Sequence, residues 1–155
     1  MTRVKGVMSA TQTSEVITLS IPSRLELLPV LDKLLAGIMD QIGFSEAEAD
    51  AIAISVIEAG TNAIQHGHKQ DPTKTVHFRF DLFPDRLLVS VSDLGGGFDL
   101  NRVLMTDPTS EEGLMQCCGR GIFIMRQLMD QVDFDIRPSQ GTTVHLEKTK
   151  RTNGR

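Results

Sequence analysis

The stretch "SEAEADAIAISVIEAGTNAIQHGH", Ser45 to His68, decides how the rest of the chain reads. It opens on Ser45 with Glu48 three residues later. In that pairing each side chain satisfies the other residue's backbone N–H at a helix start. It closes near Gly67, a residue suited to ending a helix. Between these ends, Ile52, Ala53, Val56, Ile57, Ala59, Ala63 and Ile64 cover one side of a wheel drawn at about 100° per residue. Glu58, Thr61, Asn62, Gln65 and His66 share the other side. A solvated surface face is the plain reading of that side. Asn62 fits it poorly, because Asn is a weak helix former that favours caps and turns. A chemical reading is also open. A carboxylate and a carboxamide one turn apart can serve a hard cation and a nucleophile together. The amide oxygen of Asn62 suits Mg²⁺, which takes oxygen ligands and keeps several waters. Glu58 can orient or deprotonate an attacking hydroxyl. His66 reads either as a surface or cap residue or as part of the same face.

Outward from this helix, "EVITLSIPS" (Glu15–Ser23) alternates and is rich in β-branched residues, which predicts a strand. "RLELLPVLDKLLAGIMDQIG" has helical spacing, with a start near Pro29 and a stop at Gly43. "TVHFRFDLF" and "RLLVSVSD" flank "PD" and predict a hairpin. An irregular stretch from Gly95 to Cys118 comes next, then a helix in "GRGIFIMRQLMDQV" (Gly119–Val132). "VDFDIRPSQGTTVHLEKT" closes the chain with a second hairpin around "PSQG". Strands largely segregate from helices. That order predicts an α+β fold, a two-layer sandwich with a mostly antiparallel sheet and helices on one face. The expected organisation is a disordered lead at 1–14, one domain at 15–149 and a disordered tail at 150–155.

The composition sets limits. A chain of 155 residues is one domain by default and is long enough to build its own core. The net charge of −4 argues against direct nucleic-acid binding, which needs a basic face. No apolar run approaches the length of a membrane span, and the N-terminus has no signal-peptide core. The adjacent Cys117 and Cys118 form neither a disulfide framework nor a zinc pattern, so reduced thiols in a cytoplasmic protein are expected.

"SDLGGGFD" (Ser92–Asp99) resembles a phosphate loop only in its glycines. No Lys follows closely and no helix opens there, as a phosphate cradle requires. A plain turn remains open. The irregular stretch behind it is bracketed by Gly95–Gly97 and Gly119–Gly121, an arrangement suited to a moving lid. The second bracket opens a helix, whose N–H groups and dipole attract anions. Phosphates are therefore expected at Gly119 and Gly121, with Arg120 adding positive charge.

"EAGTNAIQH", "DLGGGF", "GRGIFIMRQLMD" and "GTTVHLEK" stand in the order and approximate spacing of the motif set of the GHKL ATPases with the Bergerat fold. The resemblance covers about Glu15 to Thr149. Within that superfamily the chain most resembles the small anti-sigma factor serine kinases of bacterial partner-switching systems. The resemblance implies that Asn62 ligates Mg²⁺ and that Glu58 is the general base. It implies that Asp93 accepts from the adenine amino group, with Gly95 and Gly97 admitting the base. It implies phosphate contacts at Gly119 and Gly121, and help to adenine from the Thr142 hydroxyl. Arg120 departs from the pattern, where an apolar residue is frequent.

The expected function is thus a serine-protein kinase using ATP and Mg²⁺. It would phosphorylate an anti-anti-sigma antagonist and, in its other state, sequester a sigma factor. A homodimer is implied by the resemblance alone. The alternative is a nucleotide-gated partner-binding module with little kinase activity. A detached sensor histidine kinase is disfavoured, because the helix at Arg24–Gly43 contains no His for phosphoacceptance.

Overall fold

The computed structural model describes residues 14–94, 117–137 and 139–152. The expected lead up to residue 13, the Gly95–Gly97 loop, the expected lid and the Cys117 and Cys118 side chains lie outside the described residues.

Strand β1 (Glu15–Pro22) leads through a 3₁₀ turn (Leu25–Leu27) into helix α1 (Leu28–Ile42), with Pro29 in its first turn. That position suits Pro, whose missing N–H has no helical partner there anyway. Gly43 ends α1 in a left-handed conformation (φ 79°), its N–H donating to Met39 O at 3.0 Å. Helix α2 (Glu46–Asn62) opens as expected: Ser45 Oγ accepts from Glu48 N–H, and Glu48 Oε2 accepts from Ser45 N–H. Strands β2 (Thr75–Leu82) and β3 (Arg86–Asp93) form the first hairpin. Helix α3 (Cys117–Leu128) precedes the second, β4 (Gln131–Arg137) and β5 (Gly141–Thr149).

The described strands form one sheet in the order β1-β2-β3-β5-β4, antiparallel at every pairing. One face is apolar and covered. Val76, Phe78 and Phe80 of β2, Leu87, Val89 and Val91 of β3, and Leu146 of β5 are buried there. They pack with Leu31, Leu35 and Ile38 of α1, Ile52 and Val56 of α2, and Ile122 and Met125 of α3. Each such side chain contributes about 1.5–3 kcal/mol by leaving water. The alternate residues His77, Arg79 and His145 are exposed on the other face, so the expected two-layer α+β sandwich is what the chain forms.

Three boundaries differ from those the sequence predicts. The third helix begins two residues before Gly119 and stops at Leu128 instead of Val132. Its end is fixed from β5: buried Lys148 donates through Nζ to Leu128 O at 2.7 Å. Asp130 N–H then donates to Glu147 O at 3.0 Å, which draws the chain into β4. The tail expected from residue 150 is held through its first two residues. Lys150 N–H donates to Asp85 O at 2.7 Å, and Arg151 N–H donates to Glu48 Oε1 at 2.7 Å. Long-range acceptors of this kind are invisible to local pattern. Among the described residues no helix is long and apolar enough to cross a membrane.

Gly141 opens β5 at φ 111°, and a β-carbon there would lie 1.9 Å from Asp93 O. Gly141→Ala should therefore lower unfolding free energy by about 2 kcal/mol or more in a denaturant titration. Burial works to raise the Glu48 carboxyl, but the hydrogen bonds from Arg151 and Ser45 outweigh it and hold the group below the usual range. Its stabilisation is complete above the ordinary glutamate value of about 4.3 and is lost as pH falls through the lower folded value. Glu48→Gln should flatten that part of the acid limb when unfolding free energy is measured against pH.

Candidate functional site

Helix α2 does not run on regularly past Asn62. Ala63–Gly67 form a π-turn, in which His68 N–H donates to Ala63 O at 2.9 Å. Such turns insert one extra residue and re-aim the side chains beyond them. Asn62 is thus the last residue of the regular helix, where the π-turn begins.

The polar side of α2 is not simply solvated. Helix α3 lies across it, so Glu58, Thr61, Asn62 and Gln65 are half-buried. With Arg120, Gly121 and Ile124 they line a cleft of about 350 Å³. Gly121 makes the approach possible. A β-carbon on it would stand 2.9 Å from Glu58 Oε2 and 3.1 Å from Asn62 Nδ2, so both side chains would have to shift to admit it. Thr61 Oγ1 donates back to Ile57 O at 2.8 Å, leaving Glu58, Asn62, Gln65 and Arg120 as the cleft's long polar side chains. Gly119 stands in the first turn of α3, though not as its first residue.

Asn62 also borders a second, enclosed pocket, with His66, Gly67, Val91, Asp93, Phe134, Thr142 and Val144. Its floor comes from sheet register: Asp93 of β3 is paired with Thr142 of β5. Both are buried. Thr142 Oγ1 has no hydrogen-bond partner among the described residues, an orphan that a ligand or water can satisfy. The pocket is narrow, about 20 Å³, and exposed His66 is among its lining residues. Its lining is largely apolar, with the Asp93 carboxylate and the Thr142 hydroxyl among its few polar groups.

The structure therefore brings Glu58, Asn62, Arg120 and Gly121 to one cleft, and His66, Asp93 and Thr142 to an adjoining pocket, with Asn62 common to both. Gly95 and Gly97 lie outside the described residues. Gly67 is not recognisable as a site residue in the sequence. A β-carbon on it would stand 2.6 Å from Asp93 Cγ, so its smallness lets the π-turn close over the carboxylate. Phe134 is equally hidden, because nothing local distinguishes an aromatic on β4 from any other core-facing residue.

A split site of this kind, closed at a strand end and open beside a helix start, is that of a nucleotide-binding α+β domain. The chain belongs to the histidine kinase-like ATPase domain family, whose profile matches residues 21–148. The domain therefore uses ATP. The chain is 34% identical over 139 residues to the serine-protein kinase RsbW of Bacillus licheniformis, covering 87% of this chain and 86% of that protein. It is 32% identical over 151 residues to the serine-protein kinase RsbW of Bacillus subtilis (strain 168), covering 91% and 88%. The fold matches a solved SiaB–SiaC complex from Pseudomonas aeruginosa with a TM-score of 0.64 at 13% identity, over 89% of this chain and 90% of that one. It also matches the RsbU and RsbW domains of Rv1364c from Mycobacterium tuberculosis, with a TM-score of 0.61 at 17% identity over 89% of this chain and 33% of that one.

Gly67→Ala should push the Asp93 carboxylate out of its place. Calorimetric titration with ADP should show affinity about tenfold weaker or worse, with near-native circular dichroism.

Proposed function

We propose that this protein is an ATP-dependent serine-protein kinase that phosphorylates an anti-anti-sigma antagonist and, in its other state, sequesters a sigma factor. The observation that carries the reading is the Glu58–Asn62 pair facing Gly121, beside an enclosed pocket that ends in Asp93 and Thr142. The two RsbW relatives, both serine-protein kinases matched over most of their length, support it.

The residues divide the work. Asp93 accepts from the adenine amino group, and Thr142 Oγ1 donates to or accepts from the ring edge, directly or through water. Gly95 and Gly97 admit the base, and His66 borders its entrance. Glu58 takes the proton from the attacking serine hydroxyl as the new oxygen–phosphorus bond forms and the bond to the ADP oxygen breaks. The backbone N–H of Gly119 in the first turn of α3 and the Arg120 guanidinium carry negative charge on the phosphates, the dominant need of phosphoryl transfer, while Gly121, whose N–H lies further into the helix, gives them room by its lack of a side chain. The Asn62 amide oxygen fits Mg²⁺, which would take its remaining oxygens from water and phosphate and neutralise charge at the transferring group. A domain spanning 15–149, acting in the cytoplasm where Cys117 and Cys118 stay reduced, completes the reading.

Incubation with Mg-ATP and the antagonist protein tests it. Glu58→Gln should bind ADP as wild type does, while phosphate transfer slows about 10²–10⁴-fold. Transfer at the wild-type rate removes Glu58 from the role of base. Tight ATP binding by the wild-type protein without any transfer leaves the nucleotide-gated binding module instead.

A further inference from the structure

The chemistry of phosphoryl transfer leaves His68 without a part, although it is 1% exposed behind the π-turn. Its Nε2 accepts from Leu94 N–H at 2.9 Å, so Nε2 carries no proton. The single proton of the neutral ring therefore sits on Nδ1, where it donates to the buried Ser23 Oγ. Ser23 follows β1 directly, and its own N–H donates to Lys74 O at 2.9 Å. Leu94 follows Asp93 directly. One ring thus ties together the end of β1, the exit of the π-turn and the end of β3. Its neighbour Gly67 packs against the Asp93 carboxylate. Consecutive residues 67 and 68 hold consecutive residues 93 and 94, one by shape and the other by a hydrogen bond.

A second proton on the ring would set Nε2–H against Leu94 N–H, donor facing donor. The bridge exists only while the ring is neutral. We propose that His68 is a positioning residue for the nucleotide, its neutral ring fixing Leu94 and with it the Asp93 carboxylate, so that protonation of the ring weakens nucleotide binding. This rests on the assignment of Asp93 to the adenine. Burial holds the ring below the ordinary histidine range. Asp93 on β3 and Asp71 after the π-turn favour the charged form, while Lys74 and His77 on the β2 side oppose it. Because the folded value lies below the unfolded value of about 6.5, the bridge's stabilisation is complete above that pH. It is lost as pH falls through the folded value.

The test is ADP affinity by calorimetry from about pH 8 to about pH 5, a range that spans histidine titration. His68→Gln is the comparison, since its amide oxygen can accept from Leu94 N–H and does not titrate. His66, His77 and His145 are present in both proteins, so the difference between the two profiles belongs to His68. Wild-type affinity should fall about fivefold to tenfold more than that of His68→Gln over the range. Nitrogen-15 chemical shifts of the wild-type ring should show Nε2 unprotonated at neutral pH. A ring protonated at Nε2 overturns the proposal without any variant having to fold. Asp93→Asn separates the two levels. If it loses ADP affinity while wild type and His68→Gln have the same pH profile, the His68 role alone is wrong. If Asp93→Asn keeps full affinity, the adenine assignment is wrong and the His68 role goes with it.

Discussion

The end of β3 is boxed in on two sides by glycines from distant parts of the chain. Gly67 leaves no room for a β-carbon against the Asp93 carboxylate, and Gly141 leaves none against the Asp93 carbonyl oxygen. Protein interiors are packed too densely for such approaches to be incidental. The π-turn, the β3–β5 pairing and the closed end of the pocket all converge on this residue. Its neighbours on both strands are then fixed by register, which is how Thr142 comes to face the same space.

A second close approach, Gly121 against Glu58 and Asn62, sets the other end of the site. The two ends differ in character. One is enclosed and mostly apolar with a buried carboxylate, suited to a flat heterocycle. The other is wider and carries the exposed Arg120, suited to a charged chain of phosphates and to a protein substrate. Asn62 belongs to both, so the residue at which the regular helix stops is also the one the cleft and the pocket share.

Much of this is legible in the sequence. The capping box at Ser45, the stop at Gly43, both hairpins and the two-layer arrangement follow from local chemistry and periodicity, because each depends on residues a few positions apart. The polar side of α2 is legible as unusual, and the resemblance supplies adenine at Asp93, which no spacing indicates. The features that escape are set by partners far along the chain. The end of α3 depends on Lys148, and the first residues of the tail depend on Asp85 and Glu48. The π-turn leaves no mark in a wheel that assumes a constant angle per residue. Gly67 and His68 look like the end of a helix and become the walls and bracing of a pocket.

Strand β5 comes last among the described strands, yet it lies inside the sheet, between β3 and β4. A chain emerging from the ribosome can assemble β1, β2 and β3 by nearest-neighbour pairing. It then carries β3 as an uncovered edge until residues 141–149 arrive. Such edges recruit other strands, and pairings between distant segments form slowly. The rim that must wait longest is the one that ends in the buried carboxylate. Nucleotide binding therefore comes late in the life of the nascent chain, and the interval before it is when the protein is most exposed to aggregation.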